Sequence, residues 1–470
     1  MKRLTALLLA LLMLLSVMTG CGSKEEAKPA EDKAPAAEKT EEKAEAPAEE
    51  AEEQEEVEIT FWHYSGQYDQ YDADFEAFCD KVTEKYPYIK INAEMLSYDS
   101  GPEKFTVALG TGGTPDLYWD AYSRIAPAVG ADLLVDVSDV VADVADLAVE
   151  GSQTIGMVDG KNMTVNTHQM SGYFVCVNKD MAERLGVLNM FPEDGIHWSY
   201  DEFLAMCKAV READSSVYPC ALWAGTRSAD AWYYTWLMTG GTDLTNEDLT
   251  ATAFNTPEAV ETLNVLKTIV DEGYCMPGAA TAKDEELYPL FYNQQTMMLA
   301  GGTLQDAMLC YSTLEAQGFE EFEIMPVAMP TPDGKSEPDS ASFGANSFAI
   351  FKNNNDPAKI DACKKIVAMF FEDPTFAKSY ASLSGNPTTV LAGQPEWSNE
   401  KHAALGEWCI DYTGKYSRCD FGILEPWWTS FRETFYVELQ GLYNGTQSAQ
   451  ELLDNWQKNA DAVIAEATGG

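Results

Sequence analysis

Positive charge is what this sequence has least of. Thirty-one Lys and Arg stand against 76 Asp and Glu, a formal net charge of −45 at pH 7. Phosphate backbones would repel such a chain, which excludes nucleic acid as a partner. Histidine is scarcer still, with four residues at 63, 168, 197 and 402. With no Cys-x-x-Cys and no Cys/His cluster, neither a zinc site nor another cofactor is expected. A nucleophile elbow, a zinc-protease motif and a nucleotide fingerprint are also missing, so catalysis is not expected. Paired carboxylates could in principle build a glycosidase. Among 76 acidic residues, however, closeness in sequence has no discriminating power. No internal repeat is present, and no aromatic residue occurs before Phe61.

What is present begins with Met1-Lys2-Arg3 and an apolar run from Leu4 to Val17, interrupted only by Thr5 and Ser16. That run is too short for a comfortable bilayer span and has the layout of a signal segment, residues 1–20. Val17-Met18-Thr19-Gly20-Cys21 resembles the bacterial lipoprotein cleavage box. The resemblance implies acylation of Cys21 and anchoring by more than one chain at the outer face of the cell membrane. Residues 21–56 are mostly Glu, Lys, Ala and Pro, and residues 22–58 hold 15 acidic and five basic side chains. Such a stretch cannot bury enough apolar surface to fold and reads as a disordered tether. Beyond Cys21 lie nine cysteines, so at least one lacks an intramolecular partner. Cys363 reads as a buried thiol, and a Cys409–Cys419 bridge stays open.

From Val57 onward about 410 residues remain, enough for two or three cores. Val57, Ile59 and Phe61 alternate as a strand does. Phe75, Phe78 and Val82 mark one helix face before Pro87, and Ile89 and Ile91 begin a second strand. This βαβ start predicts a parallel pairing. A helix closing near Thr106–Leu109 and a strand at Leu117-Tyr118-Trp119 follow. Ser199 with Glu202 forms a capping box. Thr256-Pro257 and Asp356-Pro357 each place a cap residue before proline at the first helical position.

Several segments together carry a likeness. Phe61-Trp62-His63-Tyr64 ends the first strand, and Gly113-Thr114-Pro115-Asp116-Leu117-Tyr118 forms a glycine turn and strand. Tyr173-Phe174-Val175-Cys176-Val177-Asn178-Lys179-Asp180 reads as a crossing strand. Trp198-Ser199-Tyr200-Asp201-Glu202-Phe203 and Phe254-Asn255-Thr256-Pro257-Glu258-Ala259-Val260 each open a helix. Their order and spacing resemble the extracellular solute-binding proteins of ABC importers, the group of maltose-, oligosaccharide- and glycerol-phosphate-binding proteins. The resemblance implies an α/β fold, two-lobed like periplasmic binding proteins, with a hinged cleft between the lobes. It places lobe one at 57–165 plus 341–385 and lobe two at 166–335 plus 390–466. It further implies a monomeric, non-catalytic receptor outside the cytoplasm, which hands a carbohydrate, above all an oligosaccharide, to the transmembrane permease subunits. Glycerol-phosphate-type solutes and polyamines stay open as alternatives. A glycan-active enzyme and a surface adhesin are less favoured.

A sugar offers flat C–H faces ringed by hydroxyls, so its site needs aromatic platforms and planar polar groups. Trp62, His63 and Tyr64, and then Trp119 and Asp120, stand at carboxyl ends of strands, where open α/β sheets bind ligands. Trp232 and Tyr233 belong to an aromatic cluster with Trp223 and Trp236. Gly301, Gly302 and Thr303 follow the apolar Met297–Ala300 and would admit close backbone approach. In Pro426-Trp427-Trp428, an extended backbone would turn one ring inward and the other to the cleft. Arg227, Asp230 and Glu425 join Asp120 as expected hydroxyl partners.

Overall fold

The computed structural model describes residues 55–468 apart from Asp99 and Gln394. The signal segment, Cys21 and the tether up to Gln54 lie outside the described residues. Nine strands build two sheets: β1 (Val57–Tyr64), β2 (Ile89–Leu96), β3 (Leu117–Ala121), β4 (Val165–Gln169), β5 (Phe174–Asn178), β6 (Tyr218–Ala221), β7 (Thr296–Gly302), β8 (Ile324–Val327) and β9 (Ala345–Ile350). The first sheet has the order β2-β1-β3-β9-β4 and the second β8-β5-β7-β6. As the βαβ pattern predicts, β1 pairs in parallel with β2, and also with β3. Strand β9 returns antiparallel between β3 and β4.

Alternation decides which side chain meets which core. Ile59 and Phe61 of β1, with Leu117 and Trp119 of β3, face the helices Tyr71–Lys85, Pro357–Glu372 and Thr375–Ser384. Tyr64 and Tyr118 face the opposite way, onto Phe105 and Ile125, with Trp62 packed at the edge. The second sheet anchors a larger core. There the helix Asp230–Thr239 is buried on every side, and Trp198, Trp236 and Trp456 are enclosed. Trp236 Nε1 donates to the Ala300 carbonyl at 3.0 Å, so the indole costs no unpaired donor.

The helix starts form as their caps dictate. Ser199 and Glu202 close a reciprocal capping box, Thr256 accepts from the Ala259 amide, and Asp356 accepts from the amides of Ala358 and Lys359. Each such cap contributes about 1 kcal/mol.

The chain passes between the sheets at residues 170–173, a few residues later than the boundary expected at 165/166. The reason is that Val165–Gln169 is zipped to β9. This passage runs beside a second one at 340–344. Ser342 Oγ donates to the Met170 carbonyl (2.9 Å), and the Tyr173 amide donates to Ser340 Oγ (2.8 Å). A third strap adds the Thr389 amide to the Thr167 carbonyl at 2.8 Å. All nine described cysteines are free thiols, including Cys409 and Cys419.

His63 shows how burial turns into pH dependence. Its ring stacks on Phe75 at 3.9 Å, and Nδ1 meets the Tyr71 hydroxyl at 2.8 Å. Burial holds its pKa down at about 4. As pH falls below 6.5 the unfolded chain takes up this proton and the folded one does not, so stability is complete above 6.5 and declines toward pH 4. His168, held down at about 3 by burial, loses stability over the same window, whereas Asp194 and Asp333, held at about 2, act only below the ordinary carboxylate range. Going from pH 6.5 to 5 should cost about 2 kcal/mol through His63. Urea denaturation of the full chain at both pH values checks this, and His63→Gln should remove that share of the dependence while the His168 share stays.

Candidate functional site

A cleft of about 650 Å³ opens where the two sheets face the crossing segments. One wall grows from the carboxyl end of β3. The strand delivers Asp120, and the chain turns at once into the helix Tyr122–Gly130, which carries Arg124. Arg124 Nε donates to Asp120 Oδ2 at 2.7 Å, and its Nη2 donates to Oδ1. The Tyr118 hydroxyl adds a bond of 2.5 Å to the same carboxylate. The guanidinium lies 5.0 Å over the Tyr64 ring. Burial works against the Arg124 charge, but the Asp120 carboxylate outweighs it and raises the pKa. His168 on β4 completes this wall with Tyr380, whose ring lies 4.7 Å away. Burial pushes the His168 pKa down to about 3, so its imidazole is neutral.

The other wall repeats the device with different elements. Arg432, last residue of the short helix Trp428–Arg432, donates from Nε (2.5 Å) and Nη2 (2.7 Å) to Asp230. Its guanidinium sits 5.1 Å over Phe343. Both aspartates have side chains at 0% exposure, so each pair is a charge taken out of water. Removing one partner of such a pair costs about 3–5 kcal/mol. Trp232 stands against Trp223 edge to face, with centroids 3.9 Å apart, and both rings line the cleft. Thr303 and Asp306 cap the helix Leu304–Ala316 reciprocally at the cleft floor. At the rim, Gln305 Nε2 donates to Gln67 Oε1 across the opening (3.1 Å), and Gln67 holds a left-handed φ of 60°. Ring faces alternating with planar donors and acceptors can hold a ligand whose apolar faces are edged by hydroxyls.

Of the residues expected from sequence, Trp232 and Thr303 line this cleft. Asp120 and Asp230 sit behind it and hold the arginines that do. Tyr64 lies beneath Arg124. Trp62 faces away and is covered by Lys104 Nζ at 4.2 Å. His63 is packed on Phe75, and Trp119 is packed on Phe348 with Nε1 bonded to Thr167 Oγ1 (2.8 Å). Both point to the helix side of the sheet because strand residues alternate. Tyr233 is buried, its hydroxyl on the Trp223 carbonyl at 2.7 Å. Arg227 pairs with Glu433 at 2.6 Å, away from the cavity.

The two glycines of β7 serve the protein interior instead. A Cβ on Gly301 would lie 2.9 Å from the Trp232 ring, and one on Gly302 would lie 2.8 Å from Cys176 Sγ. Glu425 sits in the turn before Trp428, close enough to Tyr122 that burial, with this carboxylate, pushes the phenol up to about 12. The paired tryptophans do not split between core and cleft. Trp427 has helical torsions at the helix N-cap, and both rings are enclosed, Trp427 filling the space that Gly422 leaves. The cleft residues not anticipated are chiefly Arg124, His168, Tyr173, Phe343, Tyr380 and Arg432. Arg124 carried one available signal, its place four residues after Asp120 at a strand end.

Comparison with known proteins follows from this geometry. A model of the bacterial extracellular solute-binding proteins matches residues 37–373. A binding protein of Brucella abortus is 22% identical over 422 residues, which cover 87% of this chain and 93% of that one. Among solved structures, the GacH receptor of Streptomyces glaucescens, determined unliganded and with acarbose, has a TM-score of 0.69 at 13% identity, covering 88% of this chain and all of its own. An ABC substrate-binding protein of Listeria monocytogenes in complex with cycloalternan has a TM-score of 0.68 at 19% identity, covering 88% of this chain and 100% of that one. A chitin oligosaccharide binding protein reaches 0.69 at 18% identity, with the same coverage. The fold is thus the α/β periplasmic-binding-protein fold.

Gly301 makes the cleft testable apart from any ligand. Its φ of +138° and the Trp232 ring both reject a side chain. Gly301→Ala should cost about 1–3 kcal/mol in urea denaturation. Gly110→Ala, on a helix with open space around it, should cost nothing.

Proposed function

Because the chain belongs to the bacterial extracellular solute-binding proteins, we propose that it captures a carbohydrate outside the cytoplasm and passes it to the transmembrane subunits of an ABC permease. An oligosaccharide fits this reading best. The observation that carries it is the composition of the cleft. Trp232, Trp223 and Tyr173 offer ring faces beside guanidinium and amide groups, on walls contributed by both sheets. Acarbose, cycloalternan and chitin oligosaccharides are named with proteins of this fold, which supports the sugar reading. In this reading the two sheet-centred halves are lobes, and they close on solute by rotation about residues 170–173, 340–344 and 387–390. The acylated Cys21 tethers a monomeric receptor to the membrane, and the acidic stretch after it is the spacer.

Titration of the full chain in detergent with mono- and oligosaccharides, followed by tryptophan fluorescence and melting temperature, tests the reading. Binding should be micromolar or tighter, about 8 kcal/mol, and should raise the melting temperature by linkage. Trp232→Ala should weaken it at least tenfold with the fold retained. Glycerol-phosphate-type solutes or polyamines binding where every sugar fails would replace the substrate class. For the anchor, cells should lose the protein from their membrane fraction when Cys21→Ser is introduced, and retention there would overturn lipidation.

A further inference from the structure

Resting on the carbohydrate reading above, we infer that the cleft selects an uncharged sugar, clamped from opposite walls by Arg124 and Arg432, and rejects uronates and sugar phosphates. The first observation is the charge balance of the walls. Arg124 and Arg432 are the cations lining the cleft, and each is already neutralised by a buried aspartate through its Nε and Nη2 edge. Asp306 also lines the cleft, so counting the two aspartates the walls hold one more carboxylate than guanidinium. An anionic solute would be stripped of water there with no uncompensated positive group to receive it.

The second observation concerns what remains unused. Among the described residues neither arginine's Nη1 bonds to protein, so each keeps a donor edge held by its carboxylate and by the ring beneath it. Such a donor edge calls for an acceptor, and a neutral hydroxyl or ring oxygen supplies one without bringing charge. Because the arginines stand on different walls, a solute bonded to both holds the walls together. That makes the pair a device for affinity and closure as well as for choice of charge.

The test titrates the full chain with malto-, cello-, xylo- and chito-oligosaccharides, and with oligogalacturonides and hexose phosphates of matched length, at low and high salt. Expected is binding of a neutral sugar with affinity flat in salt, at least tenfold tighter than its acidic counterpart. Arg124→Gln and Arg432→Gln should each weaken it about tenfold or more. Asp230→Asn combined with Arg432→Gln serves if the single change does not fold, and the wild-type comparison decides if no variant folds. An acidic sugar binding more tightly than the neutral one, or both folded arginine variants binding unchanged, overturns the inference and leaves the carbohydrate reading standing. No sugar of either charge binding overturns both.

Discussion

A guanidinium can stand in a water-poor wall only if a carboxylate stands behind it, and both walls of the cleft are arranged around that constraint. Asp120 closes a strand and Asp230 opens a helix. Neither side chain is exposed, and each fixes the planar group of an arginine that reaches the cavity. The aromatic ring under each guanidinium removes its remaining freedom. Much of the nearby packing follows. Tyr64 is held beneath Arg124, Phe343 beneath Arg432, and the Tyr118 hydroxyl is committed to Asp120.

The crossings have a different physical basis. Met170 to Tyr173 would leave unpaired backbone groups if it ran alone between the sheets. The neighbouring passage at 340–344 satisfies those groups through Ser340 and Ser342, and 387–389 pairs alongside. Serine and threonine bonds of this kind join the halves at the crossings. That suits a joint between two cores which are each complete in themselves. Family membership and the shared fold make a non-catalytic receptor the consistent role for such an architecture.

Much of the fold was legible along the chain. The alternation in Val57–Phe61, the Phe75/Phe78/Val82 face and the caps at Ser199, Thr256 and Asp356 are local matters of backbone geometry and hydrogen bonding, and each lies where the pattern puts it. The site was much less so. Tryptophans are conspicuous in a sequence, yet Trp62, Trp119, Trp427 and Trp428 all pack away from the cleft. A large ring at a strand end fills a core as readily as it lines a cavity, and local spacing does not say which face is covered. Asp120 and Asp230 were visible as polar residues at element ends. Their role as supports became visible only with the partners, 4 and 202 positions away.

The sequence by itself determined the class of elements, the βαβ start, the helix caps and the acidic character, because these depend on neighbours within a few residues and on composition. Tertiary structure alone decided which residues meet the cleft. It brought Arg432 to Asp230, set Gly301 against Trp232 rather than against a ligand, and turned Trp119 toward a helix layer. The physical reason is that a cavity wall is made by what other segments fail to cover, and covering is a property of the whole packed chain.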